Sequence, residues 1–448
     1  MSCIFKSRHA NSFNFSILLC AVLVFPPPLP AQTGDVRGVH DPVLIRDGGA
    51  FYMFSTGAGV PMRKSSNLFD WQLAGRVFSQ KAPSWAIADV PGAFDVWAPD
   101  ISYFNGCFQL YYSVSTFGKQ HSVIGLATNV TLDPANSRYL WIDRGKVIES
   151  SPGGACDFNA IDPNFTLDAK GHPWLCFGSF WSGIKITPLD PSTGKPPAGA
   201  PPAIFPIAAN PGSTAIEAPF LIYHGGYYYL FVSYDQCCQG TRSTYNLRVG
   251  RSREITGPYS DCAGRPMLDG GGTLLLASHG RVAGPGHCGL LRDQAGEFIA
   301  HHYYIGEGVS SALQIRPLHW SADGWPLAGE PIRRAPAPDA ASSSTLSVSQ
   351  YSNWLMGKTW MQRVGFGEPM RVQFFSNGRI NNPNGGATWS IAPGGNLTLR
   401  WPDPRAPGGV WVDECILAPD GSYYVGRNQQ HTDIRATPGA PPGGASTP

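Results

Sequence analysis

Residues 38–57 read GVHDPVLIRDGGAFYMFSTG. Asp41 stands between His40 and Pro42, and an apolar run, a Gly48-Gly49 turn and an aromatic run follow. Two apolar runs on either side of a glycine turn signal a β-hairpin. Taken alone, Asp-Pro is ordinary turn punctuation. The arrangement returns, however, in WAPDISYFNGCFQLYYS from Trp97, IDPNFTLDAKGHPWLCFGS from Ile161, EAPFLIYHGGYYYLFVS from Glu217 and HCGLLRDQAGEFIAHHYY from His287. Pro42, Pro99, Pro163, Pro219 and Gly289 serve as anchors of the five segments. Further strands, such as SVIGLATN and LRVGRS, follow their hairpins at similar distances. Repeats of this length, each carrying several strands, predict radially arranged four-stranded blades. The expectation is an all-β chain with a five-bladed β-propeller over residues 33–335; a β-sandwich or a pair of barrels is the competing architecture.

In a propeller the first strand of each blade lines the central channel, so residues just before the anchors converge near the axis. Those residues include Asp41, Asp162 and Glu217 together with His40 and His287. Like charges gathered near an axis repel one another, and such a cluster is retained where chemistry uses it. Glu217 stands two positions before its anchor, whereas the aspartates stand one before theirs. Strict strand alternation would turn Glu217 to the other face, so an irregular strand mouth is expected there.

Composition sets the bounds. Of 448 residues, 42% are apolar and only 14% charged, with Gly 53, Pro 41, Trp 13, Tyr 17 and Phe 23. That mixture suits many short strands and tight turns around a sizeable core. A net charge of +2 without a dense Lys/Arg run gives a nucleic-acid partner no electrostatic support. Lys6 and Arg8 precede the short apolar run FSILLCAVLVF and then PPPLPAQTG, so residues 1–32 read as a secretory signal peptide. A secreted protein, extracellular or periplasmic, with no stable membrane association after signal removal is the expectation. Setting aside Cys3 and Cys20 leaves eight cysteines. Some disulfides are expected of an exported chain, with Cys237 and Cys238 either bridged to each other or to separate partners.

Residues 336–345, within PIRRAPAPDAASSSTLS, read as a linker. Beyond it, MRVQFFSNGRI, ATWSIAPGGNLTLRW and GVWVDECILAPDGSYYVGR are strand-like runs with Asn-Gly and Asp-Gly turns, which predicts a small antiparallel β-barrel over residues 346–437. Residues 438–448 read as a disordered tail.

The pieces GVHDPVLI, VWAPDI, YSVSTFGKQHSVIGLATN, NAIDPNF, GSFWSGI, AIEAPFLI and CCQGTRSTYNLRVGRS, spread over most of residues 38–305, resemble glycoside hydrolase family 43. Within it they resemble the endo-1,5-α-L-arabinanases. The resemblance implies a five-bladed propeller and inverting hydrolysis of arabinan, the polysaccharide of pectin side chains. It also implies Asp41 as general base, Glu217 as general acid and Asp162 as the group that raises the pKa of Glu217 and positions it. Trp97, Phe117, Gly118, Asn159, Ala160, Ile161, Ser179, Phe180 and Trp181 would contact substrate by the same resemblance. By the resemblance His287 would accompany a calcium ion in the central channel, the other reading being a histidine hydrogen-bonded to the acid cluster, whereas His301 and His302 read as structural. The C-terminal barrel resembles the lipocalin-like domain of some extracellular arabinanases; it would bind polysaccharide or brace the propeller, and bracing is the preferred role. An exo-acting arabinofuranosidase or β-xylosidase on the same propeller is the runner-up, and a non-catalytic carbohydrate-binding propeller is the alternative from another class.

Overall fold

A computed structural model describes residues 32–439 apart from 80, 154–155, 200, 295 and 334–345. Residues 1–31 of the signal-peptide segment, the linker segment and residues 440–448 of the tail therefore lie outside the described residues. Five antiparallel sheets of four strands follow one another along the chain. Their innermost strands are Val43–Asp47, Trp97–Phe104, Asn164–Leu167, Ile216–His224 and Ala283–Asp293. Each innermost strand touches the next, and the fifth touches the first, so the sheets close into a five-bladed propeller. A short strand, Thr33–Gly34, joins the outer edge of the first blade in parallel. Beyond it, the amide of Gly38 bonds to Ser311 and the amide of Leu313 to Val36, which ties the chain start to the fifth blade.

Local sequence accounts for the blades. Asn105-Gly106 joins the first two strands of the second blade with φ values of 50° and 78°, and Gly225-Gly226 does the same in the fourth with 55° and 85°. Positive φ at both turn residues matches the right-handed twist of the flanking strands. The second strands of the first four blades are buried almost throughout, as in YYYLFVSY of Tyr227–Tyr234. A strand covered on both faces reads as a continuous apolar run. One apolar cluster fills each junction between blades, for example Tyr111, Leu126, Phe165 and Phe177 between the second and third.

The C-terminal unit is a seven-stranded antiparallel sheet preceded by the helix Val348–Met356. Ser347 caps that helix through a reciprocal bond with Gln350, and the helix buries Tyr351 and Leu355 against the sheet. The sheet curls until bridges Phe374–Ile380 and Arg379–Thr388 bring its ends together. Its last strand, Asp433–Pro438, runs one residue into the stretch read from sequence as tail. Against the propeller it packs Ala418, Tyr423 and Val425 on Leu327. Among the described residues no helix is long and apolar enough to cross a membrane.

Candidate active site

At the mouth of each inner strand one non-glycine residue adopts the left-handed conformation: Asp41 (φ 54°), Ala98 (42°), Asp162 (57°), Ala218 (56°) and His287 (48°). Such residues are strained unless their surroundings hold them, and they concentrate at functional sites. Here each one's amide donates to a neighbouring side chain. Asp41 donates to His302 Nδ1 (3.2 Å), Ala98 to Thr56 Oγ1 (2.7 Å), Asp162 to Ser113 Oγ (3.0 Å), Ala218 to Asp162 Oδ2 (3.0 Å) and His287 to Ser233 Oγ (2.9 Å). Ladder register skips at the same places, between Trp97 and Asp100, Glu217 and Phe220, and Gly286 and Cys288. The irregular mouth expected for Glu217 is therefore present, and it is common to the repeat. One anchor needs correction: His287 shares the phase of Asp41 and Asp162, so Cys288, rather than Gly289, stands where the other blades carry proline.

These mouths open on a cavity of about 920 Å³ to which all five blades contribute. Asp41, Asp162, Glu217 and His287 line it together. Asp41 Oδ1 lies 2.8 Å from His40 Nδ1 and 3.0 Å from His287 Nδ1, while Thr56 donates its hydroxyl to Oδ2. Burial opposes ionisation of Asp41, but the two imidazoles outweigh it and hold the carboxyl well below the usual carboxylate range. Burial likewise opposes charging of His40, yet Asp41 raises it to about 10. Glu217 is held differently. Tyr245 donates to Oε1 (2.7 Å) and Ser179 to Oε2 (2.8 Å). Burial lifts the Glu217 carboxyl above its usual range despite these bonds and His287. Asp162 is pushed up to about 8, first by burial, with His287 opposing and Glu217 and Asp41 reinforcing. An ionised Asp162 was expected to be what raises Glu217; burial leads the shift in both groups instead.

The predicted binding residues Trp97, Phe117, Gly118, Asn159, Ile161, Ser179, Phe180 and Trp181 all line the cavity, with Phe117 78% exposed. Ala160 does not. It is fully buried in the core between the second and third blades, and its amide donates to Ser150 Oγ. His302 was read as structural, but it accepts the Asp41 amide and stacks on the His40 ring at 3.9 Å. His301 faces away from this cluster, its Nδ1 on the His302 carbonyl. Thr56, Tyr245 and Tyr304 were also missed. Tyr304 bridges His40 Nε2 (3.0 Å), His302 Nε2 (3.3 Å) and the amide of Cys238 (2.8 Å). A signal for two of them was present: Thr56 and His302, like Ser113 and Ser233, stand at one phase near the ends of second strands, as the acids stand where first strands begin. Disulfides were expected, but the eight described cysteines, Cys237 and Cys238 included, are free thiols.

A metal has two places to be considered. Among the described residues, the one group of three donor side chains close enough for an ion is His40, Asp41 and His302. Their donor atoms are engaged with one another, and two imidazoles with one carboxylate do not make the oxygen-rich shell calcium prefers. His287 lies outside that group. Its Nδ1 is on Asp41, and its Nε2 makes no hydrogen bond among the described residues, which leaves that nitrogen free for a ligand.

Comparison with known proteins agrees with this architecture. The profile of Glycosyl hydrolases family 43 matches residues 36–326. The extracellular endo-alpha-(1->5)-L-arabinanase 1 of Bacillus subtilis is 41% identical over 320 residues, covering 69% of this chain and 95% of that protein. The extracellular exo-alpha-(1->5)-L-arabinofuranosidase ArbA of Cellvibrio japonicus is 42% identical over 335 residues, covering 72% and 93%. The solved α-L-arabinanase of Cellvibrio cellulosa, complexed with arabinohexaose, is 41% identical with a TM-score of 0.61, covering 65% of this chain and 95% of that one. A profile match over most of the length, joined to relatives matched nearly end to end, means that this chain belongs to glycosyl hydrolases family 43 and is a glycosidase.

Proposed function

We propose that the protein is an exported hydrolase that cuts α-1,5-linked arabinan within the chain, with inversion at the anomeric carbon. One observation carries the reading: a single cavity holds Asp41 clasped by two imidazoles and Glu217 half-buried beneath two hydroxyl donors. Inverting hydrolysis needs one ionised and one protonated carboxyl on opposite sides of the scissile bond. In the proposed step Asp41 takes a proton from water as the water oxygen bonds to the anomeric carbon. Glu217 gives its proton to the departing C5 oxygen as the glycosidic bond breaks. Asp162 accepts the Ala218 amide and so positions the chain beside Glu217. Export is supported by the N-terminal reading and by the extracellular relatives.

Internal cleavage is favoured by the shape of the cavity. Its volume is near the upper end of small-molecule sites, and exposed Phe117, Trp181 and Val309 bound it from three different blades. A site for one terminal pentose would need neither. Early digestion of debranched arabinan is expected to yield a ladder of oligosaccharides. Arabinose as the sole product from the first minutes would overturn internal cleavage in favour of exo action.

His287 would hold a hydrated calcium ion through Nε2, since a lone imidazole leaves the remaining positions to water. When bound, such an ion would add positive charge beside the three acids. Chelation with EDTA is then expected to lower the melting temperature and calcium to restore it; saturating ligand stabilises a fold by about 2.7 kcal/mol at 100 times Kd. An unchanged melting temperature and unchanged turnover after chelation would remove the ion from this scheme.

A further inference from the structure

A second cavity of about 310 Å³ lies against the catalytic one, beside the fourth blade. The chain divides its side chains between the two. Ser213 faces the smaller cavity and Thr214 the catalytic one; Asp235 faces the smaller and Gln236 the catalytic one. Both dividing points contain a left-handed non-glycine residue, Thr214 (φ 58°) and Asp235 (φ 70°), which sends successive side chains to opposite sides of a thin wall. The wall is braced. The Asn210 amide group donates to Ser213 Oγ (2.9 Å) and to the Ala215 carbonyl (3.2 Å), and Asn246 donates to Asp235 Oδ2 (2.7 Å).

The lining chemistry narrows the ligand. Arg248 uses Nε on Asn246 Oδ1 (3.0 Å) and lies over the Tyr234 ring at 4.9 Å, so its two terminal nitrogens have no hydrogen-bond partner among the described residues. Arg265 uses only Nη2, on the Asp269 carbonyl, and the exposed Asp269 carboxylate has no partner among the described residues. Two guanidinium groups and two carboxylates cancel in charge, which suits an uncharged ligand rich in hydroxyls better than a phosphate or a uronate. Arg248 covers the aromatic face of Tyr234, so binding here would proceed by hydrogen bonds rather than by ring stacking.

We propose that this pocket is an accessory subsite for a neutral sugar residue of the same polysaccharide chain that the catalytic cavity cleaves. The proposal rests on the glycan-hydrolase reading above. Arg265→Ser and Asp269→Asn, both at exposed positions, remove one guanidinium and one carboxylate of the pocket without touching the catalytic cavity. KM on polymeric arabinan is expected to rise about tenfold, the equivalent of one charged hydrogen bond. Turnover number on the polymer, and both constants on arabinotriose, are expected to stay at wild-type values. Unchanged KM on the polymer, or an equal change on trimer and polymer, would overturn the subsite. Should wild-type protein leave arabinan uncut, the reaction assignment fails separately. Affinity electrophoresis of Glu217→Gln with and without Arg265→Ser, in gels containing arabinan, xylan or polygalacturonate, then decides the subsite alone. Retardation by a neutral glycan that Arg265→Ser abolishes would support it. Retardation confined to polygalacturonate, or indifferent to Arg265, would overturn it.

Discussion

Asp41→Asn is expected to lower the turnover number on linear arabinan by at least about 10³-fold, near the upper range for removal of a general base. The side chain keeps its shape and still accepts from Thr56, but His40 and His287 lose the carboxylate that favours their charged forms. The melting temperature should therefore fall, and turnover is compared at a temperature where both proteins are folded. What disappears is the negative charge between His40 and His287 and the basic oxygen that receives the proton of water. The wild-type pH profile should report the same group. Activity requires Asp41 ionised, and its folded-state pKa is depressed by the two imidazoles against the effect of burial. The acid limb therefore lies below the ordinary aspartate range, and loss of activity comes only as pH falls through that depressed value. On the alkaline side Glu217 must keep its proton, which burial favours, so activity falls as pH rises through its raised value. Residual turnover in Asp41→Asn should show the alkaline limb without the acid one. Wild-type turnover in this variant would remove Asp41 from the chemistry, whatever the geometry of the cavity.

Much of this arrangement could be read before any coordinates. The hairpin signals at Gly49, Gly106 and Gly226 each sit between two apolar runs, and chain connectivity alone then orders the blades. Three acids at related phases marked the hub for the same reason. What remained hidden was set by backbone torsion and by contacts distant in sequence. Ala218 takes a positive φ that nothing in its side chain demands, and alternation counted through it puts Glu217 on the wrong face. His302 stands in a tyrosine-rich strand, where a histidine reads as packing; its role depends on Asp41, whose amide reaches it only after the fifth blade closes on the first. Ala160 fails in the opposite direction, since being beside a cavity-lining asparagine does not expose a methyl group that points into the blade core. The causes of the Glu217 shift were equally inaccessible, because burial is a property of the assembled hub.

Arg435→Met is expected to destabilise the protein by about 3–5 kcal/mol, the cost of removing one partner from a buried ion pair. The Arg435 side chain is 2% exposed and holds both oxygens of Asp433, whose own side chain is 3% exposed, at 2.8 and 3.0 Å. Its third link crosses from the C-terminal sheet to Glu330 of the propeller at 3.4 Å, and its guanidinium lies 4.3 Å from the centre of the Phe366 ring. Glu330 would retain Arg316 at 3.8 Å, but Asp433 would be left buried without its guanidinium. Methionine fills similar space, so the loss reads charge compensation rather than a cavity. If the C-terminal sheet braces the propeller, urea denaturation should show the two units losing stability together in this variant. Hydrolysis of a short oligosaccharide at low temperature should remain near wild type, because Arg435 does not line the catalytic cavity. Pairing the change with Glu330→Gln measures the inter-unit link by itself. A coupling free energy indistinguishable from zero, with propeller stability unaltered, would reduce the C-terminal sheet to an appendage that the catalytic unit does not need.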